Sequence, residues 1–173
     1  MATKFRVALK ELIMHATVTI PDEAKSMITK VGLYSFYKCE SLVTVDLPNV
    51  TTIDGASFLQ CTSLATVNLP NLTAVGDCYY GGAFKDCSSL TDVNMPKLTR
   101  LVGGYRAGMF MYCTSLATIE LPSVSASSGE NVFYGCSNLK EIHYSAANET
   151  AIKKYTYYYT WFNGSNAQMY FDL

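Results

Sequence analysis

Five stretches of this chain are near copies of one another: FYKCESLVTVDLP, FLQCTSLATVNLP, FKDCSSLTDVNMP, FMYCTSLATIELP and FYGCSNLKEIHYS. Each opens on a Phe (Phe36, Phe58, Phe84, Phe110, Phe133), with a Cys three residues on (Cys39, Cys61, Cys87, Cys113, Cys136) and a Leu three further (Leu42, Leu64, Leu90, Leu116, Leu139). All five prolines, Pro21, Pro48, Pro70, Pro96 and Pro122, fall at one position of the unit, and Pro21 closes a degraded sixth copy, Thr17-Val18-Thr19-Ile20-Pro21. A fixed period means stacked units rather than one closed core.

Successive ladder cysteines are 22, 26, 26 and 23 residues apart. That is shorter than two-helix repeats and falls in the range of strand-bearing ones. Within a unit, Val45 and Leu47 alternate with Thr44 and Asp46, so one pair points inward and the other outward from a short strand. One unit cannot bury Leu42, Val45, Leu47 and Val50. Stacking Leu64, Val67, Leu69 and Leu72 on them continues the core, and the stacked strands form a parallel sheet.

The motif F-x-x-C-x-[SN]-L-x-x-[VI]-x-[LM]-P resembles the BspA-like (Treponema pallidum type) leucine-rich repeat over roughly residues 16–145. The last unit departs from it, with Tyr144-Ser145 in place of Leu-Pro. The resemblance implies a repeat solenoid, a leucine-rich-repeat right-handed superhelix with a parallel β-sheet on its concave face. It also implies a surface or adhesion module of bacterial or phage origin, without naming a ligand.

Three segments follow: an N-terminal cap at 1–16, repeats at 17–145 and a C-terminal cap at 146–173. Phe5, Leu9, Leu12 and Ile13 share one helical face, suited to cover the open end of the first repeat. Arg6, Lys10 and Glu11 interrupt the same stretch, so it does not read as a signal peptide. No apolar run reaches the length of a transmembrane helix. The formal net charge of −1 argues against a nucleic-acid partner.

Five of the six cysteines occupy one repeat position and read as a ladder of buried thiols acting as small hydrophobes. No C-x-x-C is present and neither histidine pairs with a cysteine in sequence, so neither disulfides nor zinc is expected. Cys78 lies outside the ladder, in an insertion. It is the one candidate for an exposed, reactive thiol, the other reading being a partly buried loop residue.

Shared positions build the scaffold, so recognition is sought where the copies differ. Outward strand positions form two rows: Thr17, Thr44, Thr66, Asp92, Thr118, Glu141, and Thr19, Asp46, Asn68, Asn94, Glu120, His143. Asp92, Asn94 and Glu120 offer a polar groove; the competing reading is a solvated sheet face rich in Thr. Asp92, Glu120 and Glu141 imply no pocket, so paired-carboxylate catalysis is not expected. The Pro-to-Phe stretches are 10 or 11 residues in two units but 14 in two adjacent ones, which carry Gly76–Gly82 and Val102–Gly108. Stacking sets these insertions side by side, with Tyr79, Tyr80, Tyr105 and Arg106 as hot-spot residue types. They form either a binding ridge or loops whose tyrosines pack down. The tail holds Tyr155, Tyr157, Tyr158, Tyr159, Trp161 and Phe162, then a strand-like Ala167–Phe171. It caps the last repeat, with Tyr157 and Tyr158 as candidates for a ligand surface.

No catalytic motif is present, and no cofactor or metal is implied. The expected function is non-enzymatic binding of a protein or glycan on a cell surface, without membrane insertion. The alternative is a structural or assembly subunit, such as a homo-oligomer, that docks a partner without binding glycans.

Overall fold

The computed structural model describes the backbone of residues 20–158 and 167–173, and their side chains except those of 155–158. The amphipathic cap expected at 1–16 lies outside the described residues, as do Thr17, Thr19, Trp161 and Phe162.

The chain is a parallel β-solenoid of about six turns, with two short strands in each complete turn. The first strand of the turn is the one expected from the motif. Its row comprises β2 (Thr44–Asp46), β4 (Thr66–Asn68), β6 (Asp92–Asn94), β8 (Thr118–Leu121) and β10 (Glu141–Tyr144). The pairing register is Thr44↔Thr66↔Asp92 and Thr118↔Glu141, as the aligned copies require. A second row corrects the reading of every Pro-to-Phe stretch as loop. It comprises β1 (Lys30–Val31), β3 (Thr52–Ile53), β5 (Ala74–Val75), β7 (Arg100–Val102) and β9 (Ala126–Ser128). These strands are two or three residues long, and Thr51, Thr73 and Thr99, each just before its strand, accept a bond from the next turn.

Two corners join the rows. At the first, the i→i+3 bonds Val50 N–H to Leu47 O and Leu72 N–H to Leu69 O close turns with Pro48 and Pro70 at the second position. Proline suits that position because its φ is already set for the turn. At the second corner the phenylalanines form a column: 36–58, 58–84, 84–110 and 110–133 stack with centroids 5.0, 5.3, 5.6 and 5.4 Å apart. The core expected from the pattern is buried from Phe36, Leu42 and Val45 to Leu139 and Ile142, with Val93 the half-buried exception. All six cysteines are free and buried.

The strand rows are not continuous. In the first row no pairing joins β6 to β8, and in the second none joins β5 to β7. The turn that carries Phe84 therefore gives β6 to the N-terminal sheet and β7 to the C-terminal one. Val93 of β6 is only half-buried, while Val45, Val67 and Ile119 at the same position are buried. Across this offset the turns are held by the Phe84–Phe110 stack, by Cys113 and by the Thr99 N–H to Thr73 O bond.

After β10 come a 3-10 turn (Ala146–Asn148), helix α2 (Glu149–Tyr158) and β11 (Gln168–Phe171), which pairs in parallel with β10. Ile152 of α2 is buried and Phe171 stacks on Tyr144 at 5.6 Å. Before β1, helix α1 (Asp22–Met27) follows Pro21.

Candidate functional site

The two insertions fold against each other because glycines let their backbones touch. A Cβ added at Gly82 would collide with the Gly108 carbonyl, and one at Gly108 with the Asn131 carbonyl. The first insertion makes a single 3-10 turn, Cys78–Tyr80. This turn points Cys78 inward and both tyrosines outward. Cys78 is thus not the exposed thiol the sequence left open. It is 5% exposed, its Sγ lies 3.7 Å from the Val102 carbonyl, and burial pushes the thiol up to about 12.

Tyr79, Tyr80 and Tyr105 are 86%, 57% and 76% exposed, so the three rings stand out as a ridge rather than packing down. Tyr79 and Tyr80 meet edge to face at 4.9 Å. The ridge extends toward the N-terminus, where the Tyr34 hydroxyl donates to the Tyr80 carbonyl at 3.3 Å and the Tyr34 ring lies 5.4 Å from that of Tyr37. Arg106 takes a left-handed backbone (φ 65°) and lies over the Tyr105 ring at 5.2 Å.

Three surface clefts place the expected residues. One, of about 580 Å³, lies between Tyr79 and Tyr105 over Gly103, Gly104 and Ser128. A second, of about 660 Å³, is bounded by Tyr105, Arg106, Lys85, Tyr112, Glu130 and Tyr134. The third, of about 450 Å³, opens where β6 and β8 fail to pair, and Asp92, Asn94 and Glu120 line it together. Asn94 ends an amide ladder: its Nδ2 donates to Asn68 Oδ1 at 2.6 Å, and Asn68 Nδ2 donates to Asp46 Oδ1 at 2.7 Å. No single one of these clefts brings the tyrosine ridge and the acidic row together. Tyr157 and Tyr158 fall in the last turn of α2, and their side chains lie outside the described residues.

Sequence reasoning missed Tyr34, Tyr37, Lys85, Tyr112 and Tyr134. All lie within two residues of a ladder Phe, and all but Tyr34 lie inside the motif that was read as scaffold. The available signal was that the two residues after each Phe vary freely among the copies. On the β10–β11 face, His143 Nδ1 lies 2.9 Å from Asp172 and its ring stacks on Tyr170 at 5.0 Å. Glu141 lies on its other side at 3.4 Å, and the carboxylates raise the imidazole pKa. No group of acidic, histidine or cysteine side chains suited to a metal ion occurs among the described residues.

The chain resembles a Treponema pallidum leucine-rich-repeat protein (TpLRR) at 33% identity and a TM-score of 0.58. The match covers 67% of this chain and 52% of that one, so this chain spans about half the length of that relative. A leucine-rich-repeat protein from Bacteroides ovatus ATCC 8483 shares the fold, at 24% identity and a TM-score of 0.51, over 90% of this chain and 42% of that one. No curated protein matches the chain. The family model for the BspA type leucine rich repeat region matches residues 10–105 and 80–166. With that match spanning nearly the whole sequence, the chain belongs to the BspA type of leucine-rich-repeat proteins.

Proposed function

We propose that this chain is a non-enzymatic binding module of a surface-attached assembly, engaging a protein or glycan on a cell surface through the ridge of Tyr79, Tyr80 and Tyr105. The observation that carries this reading is the exposure of three tyrosines on paired insertions anchored in a rigid stack. Exposed aromatic rings on a fixed scaffold give large contact area at little entropic cost. Repetition of such modules adds avidity where geometry allows. The acidic row of Asp92, Asn94 and Glu120 supplies polar contacts beside the open β6–β8 seam as a secondary surface.

The test is adhesion of purified chain to intact cells, with the Tyr79→Ala, Tyr80→Ala, Tyr105→Ala triple variant alongside. Loss of adhesion with an unchanged melting temperature supports the ridge. Unchanged adhesion sinks it and moves attention to the Asp92–Glu120 cleft. Light scattering on the same sample separates a lone module from a homo-oligomeric subunit.

A further inference from the structure

We propose that the cleft below the ridge, between Arg106 and Tyr134, is a subsite for the carboxylate of an acidic saccharide. This deepens the ridge reading and rests on it. Three observations meet here.

The first is an unspent guanidinium. Arg106 lines the cleft of about 660 Å³, and its interaction among the described residues is the cation–π contact with the Tyr105 ring at 5.2 Å. No carboxylate or carbonyl among those residues takes its N–H groups. A guanidinium held over an aromatic ring keeps its donor fork open, and that fork matches a carboxylate in two parallel bonds.

The second is the charge of the lining. Lys85 and Arg106 are its cations and Glu130 its one carboxylate. Lys85 is engaged, 3.0 Å from Asp86 and 5.8 Å from the Tyr112 ring, so it contributes field rather than a free donor. Asp86 offsets Lys85, which leaves Arg106 as the cation that can meet an anion at its end of the cleft.

The third is the character of the walls. Tyr105, Tyr112 and Tyr134 surround the cations, with Tyr112 and Tyr134 edge to face at 5.5 Å. Met111, the one aliphatic residue of the lining, is 5% exposed, so the apolar surface of the cleft is that of its tyrosine rings. Tyrosine rings take the apolar faces of a sugar ring and their hydroxyls exchange hydrogen bonds with its hydroxyls. An acidic sugar uses rings, hydroxyls and guanidinium together, whereas an acidic peptide uses only the last.

The experiment is calorimetric titration of the intact chain with three probes: a hyaluronan hexasaccharide, the same oligosaccharide with its carboxyls reduced, and a hexaglutamate peptide. The expected result is binding of the first, at least tenfold weaker binding of the second, and none of the third. Arg106→Gly should weaken hyaluronan binding at least tenfold without loss of folding, because glycine accepts the left-handed backbone at this position. Arg106→Lys should recover part of it, keeping charge but not the fork. Equal binding of native and reduced oligosaccharide, tighter binding of the peptide, or no binding of any probe would each overturn the inference. Chemical-shift mapping with wild-type protein locates the probe independently of any variant, and a footprint away from Tyr105, Tyr112 and Tyr134 would also overturn it. The ridge reading is judged separately: cell adhesion lost in the triple tyrosine variant but kept in Arg106→Gly leaves the ridge standing and removes the acid subsite.

Discussion

The thiol of Cys113 donates to the main-chain carbonyl of Phe84, one full turn back, across 3.1 Å. The same carbonyl already accepts the N–H of Cys87 in its own turn, at 3.2 Å. Cys61, Cys87 and Cys136 repeat the arrangement on Phe36, Phe58 and Phe110, at 2.9, 3.2 and 2.9 Å. The ladder cysteine therefore does more than fill volume. It takes the second lone pair of a buried carbonyl that the turn itself can satisfy only once.

Replacing Cys113 by Ala removes that donor and leaves a small void in a region with no exposed surface. The expected cost is about 1–2 kcal/mol in urea unfolding, most of it from the under-satisfied carbonyl and lost packing. The substitution Cys113→Ser, which keeps a donor of similar reach, should lie closer to wild type than its polarity alone suggests.

Thiol labelling of the native protein at neutral pH should modify none of the six cysteines, Cys78 included, since all are buried. Burial holds the Cys136 thiol, like that of Cys78, up at about 12. The reactive thiolate is then scarce as well as inaccessible. Mass spectrometry after maleimide treatment, with and without denaturant, reads this directly; native labelling at Cys78 would contradict its inward placement.

The second residue after each ladder Phe is left-handed in every turn: Lys38, Gln60, Asp86 and Tyr112 at φ 57°, 62°, 62° and 62°, then Gly135 at 73°. Non-glycine residues carry a backbone cost there. Gln60→Gly should therefore raise stability, by up to about 1 kcal/mol after the entropy glycine adds to the unfolded chain. Gly135→Ala should do the reverse, because its Cβ would enter the Tyr112 ring. Thermal melts of both variants check the pair.

The open seam has a signature in hydrogen exchange. Leu69 N–H donates to Asn94 O at 2.9 Å, while β6 has no such partner strand in β8. The Met95 amide should exchange at least about tenfold faster than that of Leu69, although both sit at the same repeat position. Equal protection would mean that the ladder is closed in solution.

His143 is flanked by Asp172 and Glu141, and their carboxylates raise its pKa above the ordinary 6.5. A raised folded value means the pairing stabilises fully below the unfolded value and is lost as pH rises through the folded one. The stability difference between wild type and His143→Gln should shrink as pH goes from about 5.5 to about 8.5. The effect should be small, since both carboxylates are about half exposed and water screens them.

What the sequence made legible was whatever the copies share at long enough range to alternate. The first strand row, its register at Thr44, Thr66 and Asp92, the Phe column and the thiol ladder all follow from aligned residues. The second row was not legible because strands such as Thr52–Ile53 are too short to show a period of two. The left-handed positions were hidden because Lys38, Gln60, Asp86 and Tyr112 occupy them where glycine would have announced them. The β6–β8 gap lies at the consensus sequence Asp92-Val93-Asn94, which gives no hint of it. Tyr79, Tyr80 and Tyr105 stood out because insertions break the period. Tyr112 and Tyr134 did not, because they hide inside it.

The turn that shares its two strands between different sheets leaves the solenoid with an oblique break in its strand pairing. The cleft between Tyr79 and Tyr105 straddles the β5–β7 half of that break. Anything gripped by both rings is a clasp across it, so occupancy would stiffen the rod against bending and tension. Hold under load and recognition would then be set by the same pair of side chains.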